Sequence, residues 1–142
     1  MNSYRFDEIR VGQTESFTRE ITAEMEDRFR ELSGDMNPLH RDDEYAREIG
    51  NGRFRSHICF GMLTASLLST LAGMYLPGEY SLIHSIDGIS FKKPVYAGDT
   101  LTVAGTVTEK VEDLRLILVS VRISNQDGKL VSGAKMKILV QQ

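Results

Sequence analysis

The stretch from Phe60 to Tyr75, FGMLTASLLSTLAGMY, contains no charged residue and is apolar on almost all sides at helical spacing. A helix without a polar face has to be buried. It is also interrupted by Thr, Ser and Gly before Pro77, and it falls short of the roughly 20 apolar residues needed to cross a bilayer. The rest of the chain must therefore enclose it. Helical period is lost after Tyr80, and four strand-length segments follow: Tyr80 to Phe91, Leu101 to Val111, Leu114 to Ser124 and Leu130 to Val140. Turn signals separate them at Lys92-Lys93-Pro94, Ala97-Gly98-Asp99, Glu112-Asp113 and Asn125-Gln126-Asp127-Gly128. Such short turns predict antiparallel neighbours. In the last segment Leu130, Ser132, Ala134, Met136, Ile138 and Val140 share one face, which predicts a half-exposed strand. The expected architecture is α+β, an antiparallel sheet wrapped around a long buried central helix. With 142 residues, 41% hydrophobic, a single domain over 1–142 is expected.

The N-terminal half prepares something different. Residues 1–10 show no firm pattern, and Gln13 to Glu20 reads as a short strand. Thr22 is placed to cap a helix in which Met25, Phe29 and Leu32 recur at i, i+4 and i+7, with Gly34 in the position of a C-terminal glycine. Asp42 or Asp43 is placed to cap a second, short helix ending near Gly50, whose Tyr45, Ala46 and Ile49 share a face.

Between these helices Asp35 and His40 stand five residues apart across a Gly/Asn/Pro turn. Helix geometry would separate them, but Gly34 permits unusual backbone angles, and Pro38 drives Asn37 out of the helical region, so the two side chains can converge. A carboxylate and an imidazole that share one water can move its protons near neutral pH. Taken alone, the same residues are ordinary turn chemistry. However, the run from Phe29 to Ala46, FRELSGDMNPLHRDDEYA, closely resembles the signature of the MaoC-like (R)-specific enoyl-CoA hydratases. An aromatic residue, a short spacer, L-S-G-D-x-N-P-L-H and a small residue after five more are all in place. Weaker similarity extends from about Val11 to the C-terminus.

The resemblance implies a hot-dog fold and a hydro-lyase acting on a trans-2-enoyl or (R)-3-hydroxyacyl thioester. Asp35 and His40 would hold the water, with Asp35 ionised and His40 neutral at rest. The backbone N–H of Gly61, at the start of the buried helix, would bind the developing oxyanion, as a glycine at this place does in the resembling enzymes. The chain departs from that pattern in one respect: it has Phe60-Gly61 where relatives commonly have His-Gly. Asn37, Arg53 and Arg55 are candidate substrate contacts, and Arg53, Arg55, Lys92 and Lys93 are the cations that could meet coenzyme A phosphates. His57 and His84 read as structural or solvent-facing. Coenzyme A or an acyl carrier enters as part of the substrate, and no separate cofactor is expected.

A formal charge of -3 and a pI near 5.6 provide no general drive toward nucleic acid or an anionic membrane. Three scattered histidines and one cysteine offer no metal-ligand spacing, and the cysteine cannot form an intrachain disulfide. A chain without a signal-like N-terminus is expected in the cytoplasm. Open sheet edges, together with the resemblance, predict a homodimer or a higher oligomer with the site near the interface. The competing functions are a hot-dog thioesterase and a non-catalytic acyl-thioester-binding subunit of a dehydratase.

Overall fold

A computed structural model describes residues 1–142. In chain order the main elements are β1 (Thr14–Glu20), α1 (Ala23–Ser33), α2 (Asp43–Ile49), α3 (Gly61–Thr70), β2 (Ser81–Phe91), β3 (Thr100–Val111), β4 (Leu116–Ser124) and β5 (Leu130–Val140). All five strands form one antiparallel sheet in the order β1-β3-β4-β5-β2. The sheet curls around α3, which continues through a wider π-type turn over Leu71–Tyr75. Alternation along the strands explains the packing. Leu101, Val103 and Val107 of β3, Val119, Val121 and Ile123 of β4, and Met136, Ile138 and Val140 of β5 point inward and are buried against Leu63, Leu67, Leu68 and Leu71. Outward positions such as Lys135 are exposed.

The α+β arrangement and the buried central helix are as expected, and four local expectations are corrected. Successive strands are not all neighbours: β2 pairs with β5, while β3 lies between β1 and β4. Residues 92–99 are therefore a crossover rather than a hairpin turn. Asp99, 5% exposed, pins it by accepting hydrogen bonds from the Tyr96 N–H (3.0 Å) and the Gln126 amide (2.9 Å). In α1 the inward face is centred on Glu26 and Phe29, and Leu32, one residue round the helix from that face, is 84% exposed. In α2 only Ala46 is buried; Tyr45 and Ile49 face outward because small residues bring this helix close to the loop that follows. The fit is tight there, since a Cβ on Gly50 would lie 2.6 Å from the Phe54 ring.

α3 is also less enclosed than its composition predicts. Met62, Ser66 and Ser69 form an open stripe along it, and β2 leaves Leu82, Ile86 and Phe91 exposed. Ser66 bonds back to the Leu63 carbonyl at 2.6 Å, as expected of a helix hydroxyl, whereas buried Thr64 Oγ1 has no partner.

Helix and sheet pack tightly at Gly105 of β3, where a Cβ would lie 2.7 Å from Leu71 Cδ2 and 3.0 Å from Val119 Cγ1. Gly105→Ala is expected to destabilise the fold by about 1–3 kcal/mol through overpacking, and Leu71→Ala by about 2–5 kcal/mol through a cavity. Because each change relieves the other, the double variant should lose less than the sum in urea unfolding. Strict additivity would show that the contact does not limit the packing.

Candidate active site

The segment that carries the candidate pair is built from local hydrogen bonds. Thr22 caps α1 by accepting from the Met25 N–H, and Gly34 ends the helix in the left-handed conformation at φ 73°. Two side-chain turns then follow in succession. Asp35 Oδ1 accepts from the Asn37 N–H at 3.0 Å, and Asn37 Oδ1 accepts from the Leu39 N–H at 3.0 Å. Pro38–His40 forms a single 3-10 turn with proline at its first position. The Arg30 guanidinium ties this turn back to α1, donating to the His40 carbonyl at 3.1 Å and to Asp27 at 2.7 Å.

His40 is then anchored to the loop before α3. The Leu39 carbonyl accepts from the Ile58 N–H at 3.1 Å, and His40 Nδ1 lies 2.8 Å from the Ile58 carbonyl oxygen. A carbonyl oxygen can only accept, so Nδ1 carries the hydrogen, and in the neutral ring the lone pair is left on Nε2. The departure at Phe60 has a place in this arrangement. Its ring, 2% exposed, packs under the imidazole at 4.2 Å and against Phe29 at 5.1 Å, supporting the face of His40.

Two adjoining cavities of about 380 and 390 Å³ share His40, Gly61 and Phe91. Asp35, Ser33 and Phe29 line the first; Lys92, Lys93, Phe54 and Thr64 line the second. The structure thus brings Asp35, His40 and Gly61 to one cleft without a direct hydrogen bond between the carboxylate and the imidazole. Gly61 is the first residue of α3, and no backbone carbonyl takes its N–H, which lies at the positive end of the helix. The Phe91 ring covers this point so closely that a Cβ on Gly61 would lie 3.1 Å from it.

The other sequence candidates lie elsewhere. Asn37 spends its side-chain carbonyl on its own turn. Arg53 donates to the Gly50 carbonyl and stacks near Phe54, while Arg55 sits 4.2 Å over Tyr96 and 3.9 Å from Asp99. Neither arginine lines the cleft, whereas both lysines do. Sequence reasoning missed Glu26, which is 2% exposed and bonded to His57, because a glutamate on an acidic amphipathic helix gives no sign that it faces inward.

The single hot-dog layer and its relatives mark an acyl-thioester hydratase or dehydratase, and the chain belongs to the MaoC-like domain family, matching it over residues 8–128. It is 38% identical to the (R)-specific enoyl-CoA hydratase of Aeromonas caviae over 122 residues, 86% of this chain and 88% of that protein. It is 35% identical to the (R)-specific enoyl-CoA hydratase of Rhodospirillum rubrum over 79% of this chain and 75% of that one. Among solved structures, the unliganded R-hydratase PhaJ1 from Pseudomonas aeruginosa superposes with a TM-score of 0.87 at 31% identity, covering 97% of this chain and 86% of that one. No helix is long and apolar enough to cross a membrane.

Cys59, beside Gly61 and 4% exposed, is not equipped as a nucleophile. Burial is the main cause that pushes its thiol up to about 12, and the Glu26 carboxylate adds to it. At pH 8 the native protein should therefore react with a disulfide reagent on the order of 10³-fold more slowly than a free cysteine. In denaturant, labelling should become fast. Rapid labelling of the folded chain would overturn the buried, neutral thiol.

Proposed function

We propose that this protein catalyses the reversible, (R)-specific addition of water to a trans-2-enoyl thioester, with coenzyme A as the carrier. Its relatives support the reaction class, and one observation carries the mechanism: an exposed carboxylate, an imidazole with its Nε2 lone pair free, and an unpaired helix N–H all border the same cleft. A water between Asp35 and His40 Nε2 gives up a proton to the pair as its oxygen bonds to the β-carbon. Charge moves through the enoyl system onto the thioester oxygen, where the Gly61 N–H stabilises it. The pair then returns a proton to the α-carbon, so that one water is added in all. Dehydration is the reverse. The two groups work on one water and act as a unit.

Lys92 and Lys93, at the side of the cleft away from Asp35, supply the positive charge that a coenzyme A phosphate needs. They replace Arg53 and Arg55 as the best-placed cations. We also propose a homodimer. β2 is an edge strand whose Leu82, Ile86 and Phe91 remain exposed beside Met62, and pairing with a second copy would cover both edge and apolar surface. The cleft lies next to this surface through Phe91. The buried, unpaired Cys59 is compatible with a reducing cytoplasm, where we place the protein.

Purified protein should consume the enoyl absorbance of crotonyl-CoA or a longer enoyl-CoA without releasing thiol. Thiol release would instead identify a thioesterase, and binding without turnover a non-catalytic subunit. Asp35→Asn and His40→Ala should each lower the rate by about 10²-fold or more, and the double variant should fall far short of the product of the two losses. Near-wild-type turnover in either folded single variant removes the pair from the mechanism. Light scattering should give a mass near twice the 16.0 kDa chain; the mass of one chain would refute the dimer.

A further inference from the structure

His57 lies outside the reaction scheme, yet it is the most heavily bonded side chain in the loop before α3. Its Nδ1 is 2.5 Å from Asp43 Oδ1 at the start of α2, and its Nε2 is 3.2 Å from Glu26 Oε2 inside α1. Its own backbone N–H donates to the same Asp43 oxygen at 3.0 Å. Glu26 is 2% exposed, its Oε1 has no partner, and the bond from His57 is the hydrogen bond that compensates its burial. The next residue, Ile58, is where His40 is anchored through both Leu39 and its own Nδ1. One imidazole therefore joins the two helices that flank the Asp35–His40 segment, one residue from the carbonyl that sets the His40 tautomer.

We propose that His57, in its doubly protonated form, is a positioning residue: it clamps α1 to α2 and so holds the Ile58 carbonyl where it keeps the lone pair of His40 on Nε2. The inference rests on the hydratase reading for its kinetic consequence, but its structural content is independent of it. An imidazolium has two N–H donors and can serve both carboxylates; a neutral ring has one, and must set its lone pair against a carboxylate oxygen on the other side. The surroundings favour the charged form. Burial works against it, but the hydrogen bonds and charges of Asp43 and Glu26 outweigh burial and hold His57 above its usual range. Hydrogen bonds from His57 in turn lower Asp43. Around it, α2 and the turn before it contribute Asp42, Glu44, Arg41 and Arg47, with Arg47 4.0 Å from Asp43, α1 contributes Glu26, and the neighbouring Cys59 thiol is uncharged. Because its folded value is raised, the clamp is complete below about pH 6.5 and is lost as pH rises through the folded value. On deprotonation the single ring N–H goes to Glu26, which has no other partner, and the start of α2 keeps only the bond from the His57 backbone N–H to Asp43.

The test uses His57→Ala, His57→Gln and Glu26→Gln in the full chain, with imidazole ¹⁵N spectra assigned through His40→Gln and His84→Gln. In His57→Ala we expect kcat on enoyl-CoA to fall by about 10- to 10²-fold, the scale of a small misplacement of reacting groups, with KM within about threefold. The His40 spectrum should lose its Nδ1–H form in favour of a tautomer mixture. His57→Gln, which can still donate to Glu26, should recover part of both. Glu26→Gln removes one of the charges that favour the imidazolium, so the alkaline decline of kcat should move to lower pH. Should His57→Ala fail to fold, Glu26→Gln decides alone. Unchanged kcat and His40 tautomer in folded His57→Ala, or a wild-type pH profile in Glu26→Gln, would overturn the proposal. If no enoyl thioester is turned over at all, the hydratase reading fails, and the His40 spectra still decide the clamp.

Discussion

The rest of the structure depends on burying a helix that offers water only the narrow stripe of Met62, Ser66 and Ser69. Leu63, Leu67, Leu68 and Leu71 share one broad face that buried Thr64 and Ala65 widen, and β3, β4 and β5 curl around the helix to cover it. Wrapping leaves two ends. At the end where α3 starts, unpaired backbone N–H groups and the positive pole of the helix come to the surface of an otherwise apolar core. The same demand that buries the helix thus creates the polar point at which a thioester oxygen can be held.

The loop segments exploit that end. Leu39 and His40 pair with Ile58, one strand-like contact between stretches far apart in sequence, and Phe60 supplies the surface on which the imidazole rests. Arg30 fixes the turn from behind. None of these contacts is strong by itself, since an ordinary hydrogen bond contributes about 0.5–1.5 kcal/mol net. Their geometry matters more: they set the orientation and the tautomer of His40 at the wall of the cleft that Asp35 also lines.

Much of this was legible in the residues because the signals were local. Thr22, Gly34, Asn37, Pro38 and Asp42 act where they stand, as caps and turn formers, and their roles hold in the structure. Strand boundaries followed from turn chemistry in the same way. What the sequence did not display was long-range partnership. A turn at Lys92-Lys93-Pro94 looks alike whether the chain folds back or crosses the sheet, so the place of β2 beside β5 was hidden. The exposure of Leu32 and the burial of Glu26 go together, because period alone does not tell which side of a short helix a buried carboxylate with a distant histidine partner will turn inward. The arginines of the loop carry charge suited to phosphate, but their position is taken by Tyr96, Asp99 and the Gly50 carbonyl.

The strand order also sets the sequence of events by which the cleft comes into being. β3, β4 and β5 are joined by short connections and form a local meander, whereas β1 meets β3 with Thr14 opposite Thr106, and β2 meets β5 with Leu82 opposite Leu139. Contacts of such separation must overcome loop-closure entropy before they contribute, which makes them late in folding. During synthesis the chain that carries Asp35, His40 and Gly61 leaves the ribosome well before the meander that α3 needs. The residues of the cleft are therefore made first and brought together last, and until β5 emerges the helix at the centre of the fold is an exposed apolar segment that relies on its neighbours still being translated.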